Sequence, residues 1–499
     1  MIFTGDYLYS ETTTYYYIRL RALDEQGEFF ESAIRITVGS EPTETQAFIN
    51  HKQVSSDVGG MGKLLNQKMI QLANNDIVLC YSDYDQTDGD GLGILCTVLD
   101  NVSLEEKVPI FVCNFDKQFN QNNAFLLKLP DNYWIAFWQG FGNMDAYGIY
   151  AIKYENQFYI GQSQFIVNNF RTNTQRNVHA AIVKGDPDFI VAVWESQDQD
   201  GDGYGIYAIN LDFNLGKLNS EYKVNENFFK NQMNPRIVGL TNSNFVIVWE
   251  SEDQTDNNLV GIWAKIYNNL TIPICWDFNV NTHQNGNQVA LQIAPLHFGK
   301  FVIVWQSDSD QDGDKTGIFQ QAYNSDCTRL GIETQVNTIT TGEQKVPSLI
   351  TLPNGDWWVT WYSEITNNVN LENRYDLMGQ RYYSTGAKWL ENFTIEQDAL
   401  HKDNLEPISL LTVSDKSKLM LYFPMGVTGY GKKLYLKQYH AEVPYDITIS
   451  NYSDIPNVQA GLIEDFLIGQ MATSHSNSAY TEKNFTYTFY MKFDDIANN

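Results

Sequence analysis

Runs of apolar residues in this chain are short, and clusters of Gly, Asn and Asp separate them. One unit reads "PRIVGL", "NFVIVWE", "GIWAKIY" and "WDFNVN" in succession, which is typical of strands joined by turns. No run keeps a 3.6-residue apolar period long enough for a helix. The second run is apolar at nearly every position, so both faces of that strand are expected to be buried. The pattern therefore predicts an all-β chain built from four-stranded units.

The four-stranded unit repeats about every 56 residues, which is the signature of a repeat architecture. An aromatic anchor closes the second strand of each copy. The anchors are Tyr81, Trp138, Trp194, Trp249, Trp305, Trp361 and Tyr422.

A second series keeps the same register, because an Asn ends each unit and a Gln follows seven residues later. The pairs are Asn114 and Gln121, Asn168 and Gln175, Asn225 and Gln232, Asn281 and Gln288, and Asn337 and Gln344. We interpret them as buried hydrogen bonds between neighbouring units, with a ring of ligand groups as the alternative.

A four-stranded sheet that buries both faces needs a neighbour on each side, and the radial stacking of a β-propeller supplies both. Seven repeats are clear within residues 60–440, and residues 455–499 look like a last blade that lacks a fourth strand. Residues 1–40 contain a strand hairpin that can supply the missing strand. We therefore predict that residues 1–499 form a single β-propeller of eight blades, with seven as the alternative. Residues 1–40 are expected to close the last blade and so remove exposed sheet edges.

The repeat "FVIVWES…DQDGDGYGIYA…VN…Q" resembles propeller-type repeats of large bacterial and protist cell-surface proteins, over roughly residues 60–440. Its acidic turn is similar to the calcium loops of integrin α-subunit propellers. The resemblance implies a propeller fold, bound Ca²⁺ and an extracellular or cell-surface location, and it assigns no activity.

The turn between the second and third strands carries carboxylates at alternating or nearly alternating positions in four units. Such oxygen atoms in a Gly-containing loop can converge on one hard cation, and Ca²⁺ accepts about six to eight oxygens in irregular geometry. The alternative is a solvated hairpin turn, where Asp, Asn and Gly are common. The candidate Ca²⁺ ligands are Asp85, Asp88, Asp90, Asp198, Asp200, Asp202, Asp253, Asp256, Asn258, Asp310, Asp312 and Asp314.

The charge balance restricts the partners of the chain. Asp and Glu number 60 against 33 Lys and Arg, which gives a net charge of -27. This charge argues against nucleic acid and anionic membranes and favours cations or basic surfaces. No apolar stretch is long enough to cross a membrane, and the first residues lack a basic and apolar leader. Five sequons are compatible with a glycoprotein and begin at Asn101, Asn269, Asn392, Asn451 and Asn484.

Motifs for catalysis are hard to find in this sequence. The seven histidines show no HxH or HExxH spacing, and the five cysteines form no CxxC. Cys80 and Cys96 flank the first acidic turn, where a disulfide and two buried thiols are equally compatible with the pattern. "GVTGYGKK" has the glycine spacing of a phosphate loop but lacks its Ser or Thr, so we interpret it as a hairpin turn.

The leading functional hypothesis is a non-enzymatic, calcium-binding propeller at the cell surface, acting as a structural or adhesive module. Its partners would be proteins or glycans at the cell surface, or other copies of the chain in an assembly or filament. The alternative is a carbohydrate-binding or carbohydrate-active propeller. That alternative requires unrepeated acidic or aromatic residues that converge at one mouth of the central channel. The insertion "EITNNVNLENRYD" and Trp276 are the candidates for such residues.

Overall fold

A computed structural model gives the architecture of the chain. It describes residues 15–23, 29–38, 48–53, 65–83, 91–116, 119–142, 145–252, 259–309, 311–365, 374–401, 405, 407–412, 418–426, 432–440 and 447–451. Two compact units are present, residues 48–441 and residues 1–47 with 442–499. Within the described ranges the only helix is a 3₁₀ turn at His297–Gly299, so the predicted all-β class is confirmed.

Thirty-one strands make up the described structure. The first eleven are β1 Tyr15–Leu23, β2 Phe29–Val38, β3 Phe48–Gln53, β4 Leu65–Gln71, β5 Ile77–Asp83, β6 Gly93–Leu99, β7 Glu106–Val112, β8 Gln121–Lys128, β9 Tyr133–Gly142, β10 Asp145–Glu155 and β11 Phe158–Ile166. The next twelve are β12 Gln175–Val183, β13 Phe189–Gln197, β14 Tyr204–Leu211, β15 Tyr222–Lys223, β16 Gln232–Gly239, β17 Phe245–Glu252, β18 Val260–Tyr267, β19 Phe278–Asn279, β20 Gln288–Pro295, β21 Phe301–Ser307, β22 Gly317–Tyr323 and β23 Arg329–Gln335. The last eight are β24 Gln344–Thr351, β25 Trp357–Glu364, β26 Arg374–Tyr382, β27 Lys388–His401, β28 Ser409–Thr412, β29 Lys418–Gly426, β30 Lys432–His440 and β31 Ile447–Asn451.

Six propeller blades are built from four consecutive antiparallel strands each, β4–β7, β8–β11, β12–β15, β16–β19, β20–β23 and β24–β27. We number them blades 1 to 6. A further antiparallel sheet combines β28, β29 and β30 with the N-terminal strand β3, and we call it the composite sheet. The predicted count of eight blades, with seven as the alternative, is therefore wrong for blades made of consecutive strands. The last clear repeat contributes only three strands of its own, because its fourth position is filled by β3 from the start of the chain.

The predicted closure by residues 1–40 is not confirmed. Strand β2 contains "SAIRITV" and lies between β1 and β31 in a three-stranded sheet, where Ile36 pairs with Ile449. We expected β2 to be a strand of the same blade as residues 457–493, but residues 452–499 lie outside the described residues. The N-terminal strand that enters a four-stranded sheet is instead β3, in which Lys52 pairs with Leu436 of β30.

Burial of the second strands holds neighbouring blades together. Strands β13 and β17 are buried at every position but the last, as the continuous apolar runs predicted. Val191 and Val193 of blade 3 lie in one apolar cluster with Ile247 and Trp249 of blade 4. Each blade therefore covers a face of the next, which an isolated sheet would leave in water.

Four of the five repeated Asn and Gln pairs are buried hydrogen bonds between blades, so the interpretation is confirmed for these four. Asn225 Oδ1 accepts from the Ile206 N–H at 2.7 Å, and Asn225 Nδ2 donates to Gln232 Oε1 at 2.9 Å. Ile206 belongs to blade 3 and Gln232 begins blade 4, so one buried amide joins the two blades. Asn114, Asn168 and Asn337 make the same pair of bonds, one within their own blade and one to the Gln that begins the next blade.

Two disulfides are present, and Cys113 is a buried free thiol. Cys80 and Cys96 are directly opposite each other on β5 and β6, so the disulfide is the correct alternative for this pair. Cys275 and Cys327 join blades 4 and 5 across 52 residues, a pairing that sequence spacing did not indicate. Two disulfides are consistent with an oxidising, extracellular compartment. In the described residues no helix is long and apolar enough to cross a membrane.

Candidate binding site at the propeller axis

The first strands of the blades lie side by side around a common axis, because β4, β8, β12, β16, β20 and β24 contact one another in succession. Each of them pairs with the second strand of its own blade in the same register. One register position shows no repetition at all and, in blades 2 to 6, lies four residues after the repeated Gln. It holds Lys68, Phe125, His179, Arg236, Gln292 and Ser348.

These unrepeated side chains converge. The rings of Phe125 and His179, from blades 2 and 3, have centroids 4.0 Å apart. The Ile237 N–H of blade 4 donates to His179 Nδ1 at 3.4 Å. Burial, with the positive charges of Arg236 and Lys68, holds the pKa of His179 well below its usual 6.5. The charge of Lys68 acts from two blades away, as expected of groups that face one central space. We call this set the axial site, and we include in it the neighbouring side chains of Asn123, Asn177, Asn234, Glu195 and Glu250.

A bulge near the start of each first strand builds the polar part of the axial site. Two residues after the position of the repeated Gln, the backbone enters the left-handed region and the strand register shifts. Asn tolerates this conformation better than other residues with a side chain, and it occupies four of the six positions. The bulge residues and their φ angles are Asn66 (55°), Asn123 (54°), Asn177 (56°), Asn234 (52°), Ala290 (55°) and Val346 (55°).

The second strand of the preceding blade satisfies the bulge N–H. Gln139 Oε1 accepts from the Asn177 N–H at 2.6 Å, and Glu195 Oε1 accepts from the Asn234 N–H at 2.7 Å. The Asn side chains also link blade to blade, because Asn123 Nδ2 donates to Asn177 Oδ1 at 2.8 Å and Asn177 Nδ2 donates to Asn234 Oδ1 at 3.2 Å. A half-buried chain of amides therefore runs across blades 2, 3 and 4.

Val346 is the least suitable bulge residue, since a β-branched side chain at positive φ is strained. We expect Val346→Asn to raise the free energy of unfolding by about 1 kcal/mol, because Asn tolerates the left-handed region. Urea denaturation of both proteins measures the difference. Ala290→Asn is the matched variant and should stabilise by a smaller amount. Destabilisation by both changes would contradict strain at the bulge.

Two carboxyl groups lie beside the amide chain. Glu195 is fully buried, and its Oε2 accepts from Arg176 Nε at 2.6 Å. Glu250 is 3% exposed, and its Oε2 accepts from Asn234 Nδ2 at 2.7 Å. Burial raises the pKa of Glu250 to about 7, against the lowering effects of the Asn234 hydrogen bond and the Arg236 charge. Glu250 can therefore gain or lose a proton near neutral pH.

Gln fills the position of Glu195 and Glu250 in two other blades. Gln139 follows its tryptophan anchor in blade 2, and Gln306 does so in blade 5, where its Oε1 accepts from the Val346 N–H at 3.2 Å. The hydrogen bond to the bulge N–H of the next blade therefore needs an acceptor oxygen, and that oxygen does not have to be charged. The carboxylates of blades 3 and 4 add charge and titration to a place where structure alone does not require them.

The carboxylates of the acidic turns have hydrogen-bond partners outside this set. In blade 3, Asp198 Oδ2 accepts from Asn173 Nδ2 at 3.1 Å. Asp200 Oδ2 accepts from Asn225 Nδ2 at 3.4 Å, and Asp202 Oδ2 accepts from the backbone of Lys230 at 3.1 Å. The three side chains are therefore drawn towards three different segments.

Blade 5 repeats two of these contacts. Asp312 Oδ2 accepts from Asn337 Nδ2 at 2.9 Å, and Asp314 Oδ2 accepts from the Gly342 N–H at 2.8 Å. Burial raises the pKa of both Asp200 and Asp312. Among the described residues, no group of three or more His, Cys, Asp or Glu side chains could hold a metal ion. The remaining candidates lie outside the described residues, namely Asp85, Asp88, Asp90, Asp253, Asp256, Asn258 and Asp310, so calcium binding stays a prediction.

Of the two sequence candidates for a channel mouth, Trp276 is described in full and the insertion only at its ends. Trp276 is 79% exposed and precedes β19, the fourth and outermost strand of blade 4. In the insertion at 364–376, residues 366–373 lie outside the described residues. The sequence does contain a signal for the axial site, namely the loss of repetition four residues after the repeated Gln, where successive repeats hold Phe125, His179 and Arg236.

Comparison with known proteins adds little to this picture. No protein-family model matches the sequence, and no curated protein matches it. Among solved structures, the chain is similar to a protein of unknown function from Dyadobacter fermentans, with TM-score 0.48, 8% identity and coverage of 79% of this chain and 98% of that one. A PL25 ulvan lyase gives 0.47 and 10%, covering 78% of this chain and 94% of that one. A GH93 α-L-arabinofuranosidase of Fusarium graminearum gives 0.42 and 9%, covering 76% and 93%. At these scores and identities the similarities carry no argument about function.

Proposed function

We propose that the chain is a carbohydrate-binding or carbohydrate-active β-propeller whose ligand occupies the axial site. The supporting observation is the unrepeated set at one register position, which includes Phe125, His179 and Arg236, in a chain whose neighbouring positions repeat from blade to blade. A purely structural position would be expected to repeat with the rest. On sequence grounds we required acidic or aromatic residues at this place, and the set differs from that requirement because Phe125 is its one aromatic hydrocarbon ring and the acidic groups, Glu195 and Glu250, lie beside the set.

The chemistry of the site suits a polyhydroxylated ligand. The half-buried amides of Asn123, Asn177 and Asn234 donate to protein groups, so what they offer a hydroxyl group is the remaining acceptor capacity of their oxygens, and the ring of Phe125 supplies an apolar surface. Glu250 has a pKa near 7, which is the range in which a carboxyl group can serve as a general acid or base. Perturbed titratable groups beside such polar groups are typical of functional sites. Binding alone needs the amides and the ring, and bond cleavage would in addition use Glu250.

Exposure of the protein to a panel of oligosaccharides tests this proposal, with binding measured by calorimetry and cleavage by release of new reducing ends. We expect His179→Gln to weaken binding about tenfold or more at an unchanged melting temperature, because blade 5 accommodates Gln292 at the equivalent position. A triple change of Asp198, Asp200 and Asp202 to Asn is the control and should leave binding intact. If the triple variant lost binding and His179→Gln kept it, the ligand would bind at the acidic turns and not at the axial site.

A second candidate function is a calcium-stabilised structural or adhesive module at the cell surface, with protein or glycan partners or further copies of the chain. One observation favours it. Asp200 Oδ1 is buried without a hydrogen-bond partner among the described residues, so a cation could complete its contacts. The two disulfides are compatible with the extracellular location that this function needs.

Thermal melting with calcium, with magnesium and with chelator tests the second candidate. At a hundredfold excess over the dissociation constant, one calcium site should add about 2.7 kcal/mol of stability. Changing Asp198, Asp200 and Asp202 to Asn should reduce this dependence without unfolding the other blades, because repeats interact mainly with their neighbours. Superimposable melting curves under the three conditions would leave the aspartates as ordinary turn residues.

A further inference from the structure

Arg236 carries a positive charge that no group in the described part of the chain neutralises by an ion pair. Its guanidinium makes one hydrogen bond there, from Nη1 to the backbone oxygen of the adjacent Pro235 at 2.9 Å. A guanidinium has five N–H donors, so most of its donors have no protein partner in the described residues. Arg236 is half-buried, and a charge that is partly removed from water is normally paired, because the loss of hydration is costly. Burial lowers the pKa of Arg236, which agrees with incomplete compensation by its surroundings.

The carboxylates near Arg236 are already engaged. Glu195 is held by Arg176, with Nε and Oε2 2.6 Å apart, and it also accepts from the Asn234 N–H. Glu250 accepts from Asn234 Nδ2, and its pKa of about 7 leaves it only partly charged at neutral pH. The protein therefore supplies Arg236 with nearby negative charge but with no ion-pair partner among the described side chains.

His179 presents a donor to the same space. Its Nδ1 accepts from the Ile237 N–H, so the neutral ring carries its proton on Nε2. No hydrogen bond to Nε2 is made by the described residues, and the His179 side chain is half-buried rather than sealed off. His179 and Arg236 occupy the same register position in adjacent blades. A guanidinium and an imidazole N–H thus face the axial space together.

We propose that the axial site binds the acidic group of an anionic saccharide, a carboxylate or a sulfate, on the guanidinium of Arg236 and the Nε2–H of His179. This inference rests on the proposed function and names its ligand class. A guanidinium matches the geometry of such an oxyanion with two parallel hydrogen bonds. The net charge of -27 disfavours anionic polymers on the surface as a whole, so binding of an acidic saccharide would depend on this cationic contact.

Calorimetry with four probes tests the inference. The probes are an oligogalacturonate, a sulfated oligosaccharide, the methyl-esterified oligogalacturonate of the same length, and inorganic sulfate. We expect at least one acidic saccharide to bind the full chain at least tenfold more tightly than the neutral ester. Preference for the galacturonate or for the sulfated probe distinguishes a carboxylate from a sulfate ligand.

Variants at position 236 supply the controls. Arg236→Gln should remove the preference for the acidic probe, and the equivalent Gln292 of blade 5 shows that this side chain fits the position. Arg236→Lys should retain part of the preference, because it keeps the charge but loses the planar fork. Lys107→Gln removes one positive charge from the outermost strand of blade 1 and should leave binding unchanged. Melting temperatures of all variants show whether each is folded.

Each remaining outcome overturns a defined part of this scheme. Equal affinity for the esterified and the free oligogalacturonate would overturn the anionic ligand and leave the carbohydrate proposal standing. Binding of inorganic sulfate but of none of the three oligosaccharides would overturn the saccharide ligand class, and the wider oligosaccharide panel would then decide the proposed function. An acidic preference that survives in folded Arg236→Gln would overturn the role of Arg236. Absence of binding to all four probes would overturn the inference, and the wider oligosaccharide panel then decides the proposed function.

Discussion

Replacing Trp249 by Ala should lower the free energy of unfolding by about 3–5 kcal/mol, the range for emptying a large aromatic site in a core. Trp249 is fully buried, in one cluster with Val191 and Val193 of blade 3 and Ile247 of its own strand. The cavity would therefore open between two blades, and both would lose packing. Equilibrium denaturation in urea, followed by tryptophan fluorescence and circular dichroism, measures the change.

Trp249→Phe is the matched control for that experiment. Trp249 Nε1 has no hydrogen-bond partner among the described residues, so losing this N–H removes no bond. Phe keeps most of the apolar volume, and we expect a cost of about 1–2 kcal/mol. Trp305→Phe should cost more than Trp249→Phe, because Trp305 Nε1 donates to Gln288 Oε1 at 3.1 Å. Equal stability of Trp249→Ala and the parent chain would contradict packing of this anchor between blades.

Replacing Glu250 by Gln should stabilise the chain at pH 8 and have little effect below about pH 4.5. Burial raises the pKa of Glu250 from 4.5 to about 7 in the folded state. Between these values the folded state holds a proton that the unfolded state has released, so stability falls as the pH rises through this window. The full difference corresponds to about 3 kcal/mol. Denaturation midpoints of both proteins between pH 4 and pH 8 measure it.

Gln306→Glu is the reciprocal variant. It places a carboxyl group at the equivalent position of blade 5, beside the Val346 N–H. A decrease in stability with rising pH should appear in this variant, smaller than for Glu250 because Gln306 is only half-buried. Parallel pH profiles of Glu250→Gln and the parent chain would show that Glu250 keeps an ordinary pKa in the folded protein.

Much of the fold was predictable from the sequence, because the responsible interactions are local or repeated. The continuous apolar run that ends at Trp194 indicated a strand buried on both faces, and β13 is buried in this way. The spacing of Asn225 and Gln232 indicated an inter-blade bond, and the two side chains make it. The number of blades was not predictable in this way, since the fourth strand of the composite sheet is β3, which lies far from β30 in the chain.

The axial site shows the opposite case. Phe125, His179 and Arg236 are separated by more than fifty residues from one another, and each looks like an ordinary residue of its own strand. The bulges beside Asn177 and Asn234 aim neighbouring groups at the axis, and a bulge is a property of paired strands. Which residues meet there follows from blade order and register, so the sequence interpretation turned to the acidic turns, where the chemistry is contiguous.

The sequence by itself determined the all-β class, the four-stranded repeat and the anchors such as Trp249, because strand burial and turn chemistry are written in neighbouring residues. Only the tertiary structure decided that β3 completes a sheet with β30, and that His179 meets Phe125 and the backbone of Ile237. It also decided the raised pKa of Glu250, since burial depends on which blades cover the carboxyl group. Contacts between distant repeats arise from stacking, and a linear pattern does not encode which unlike residues stacking brings together.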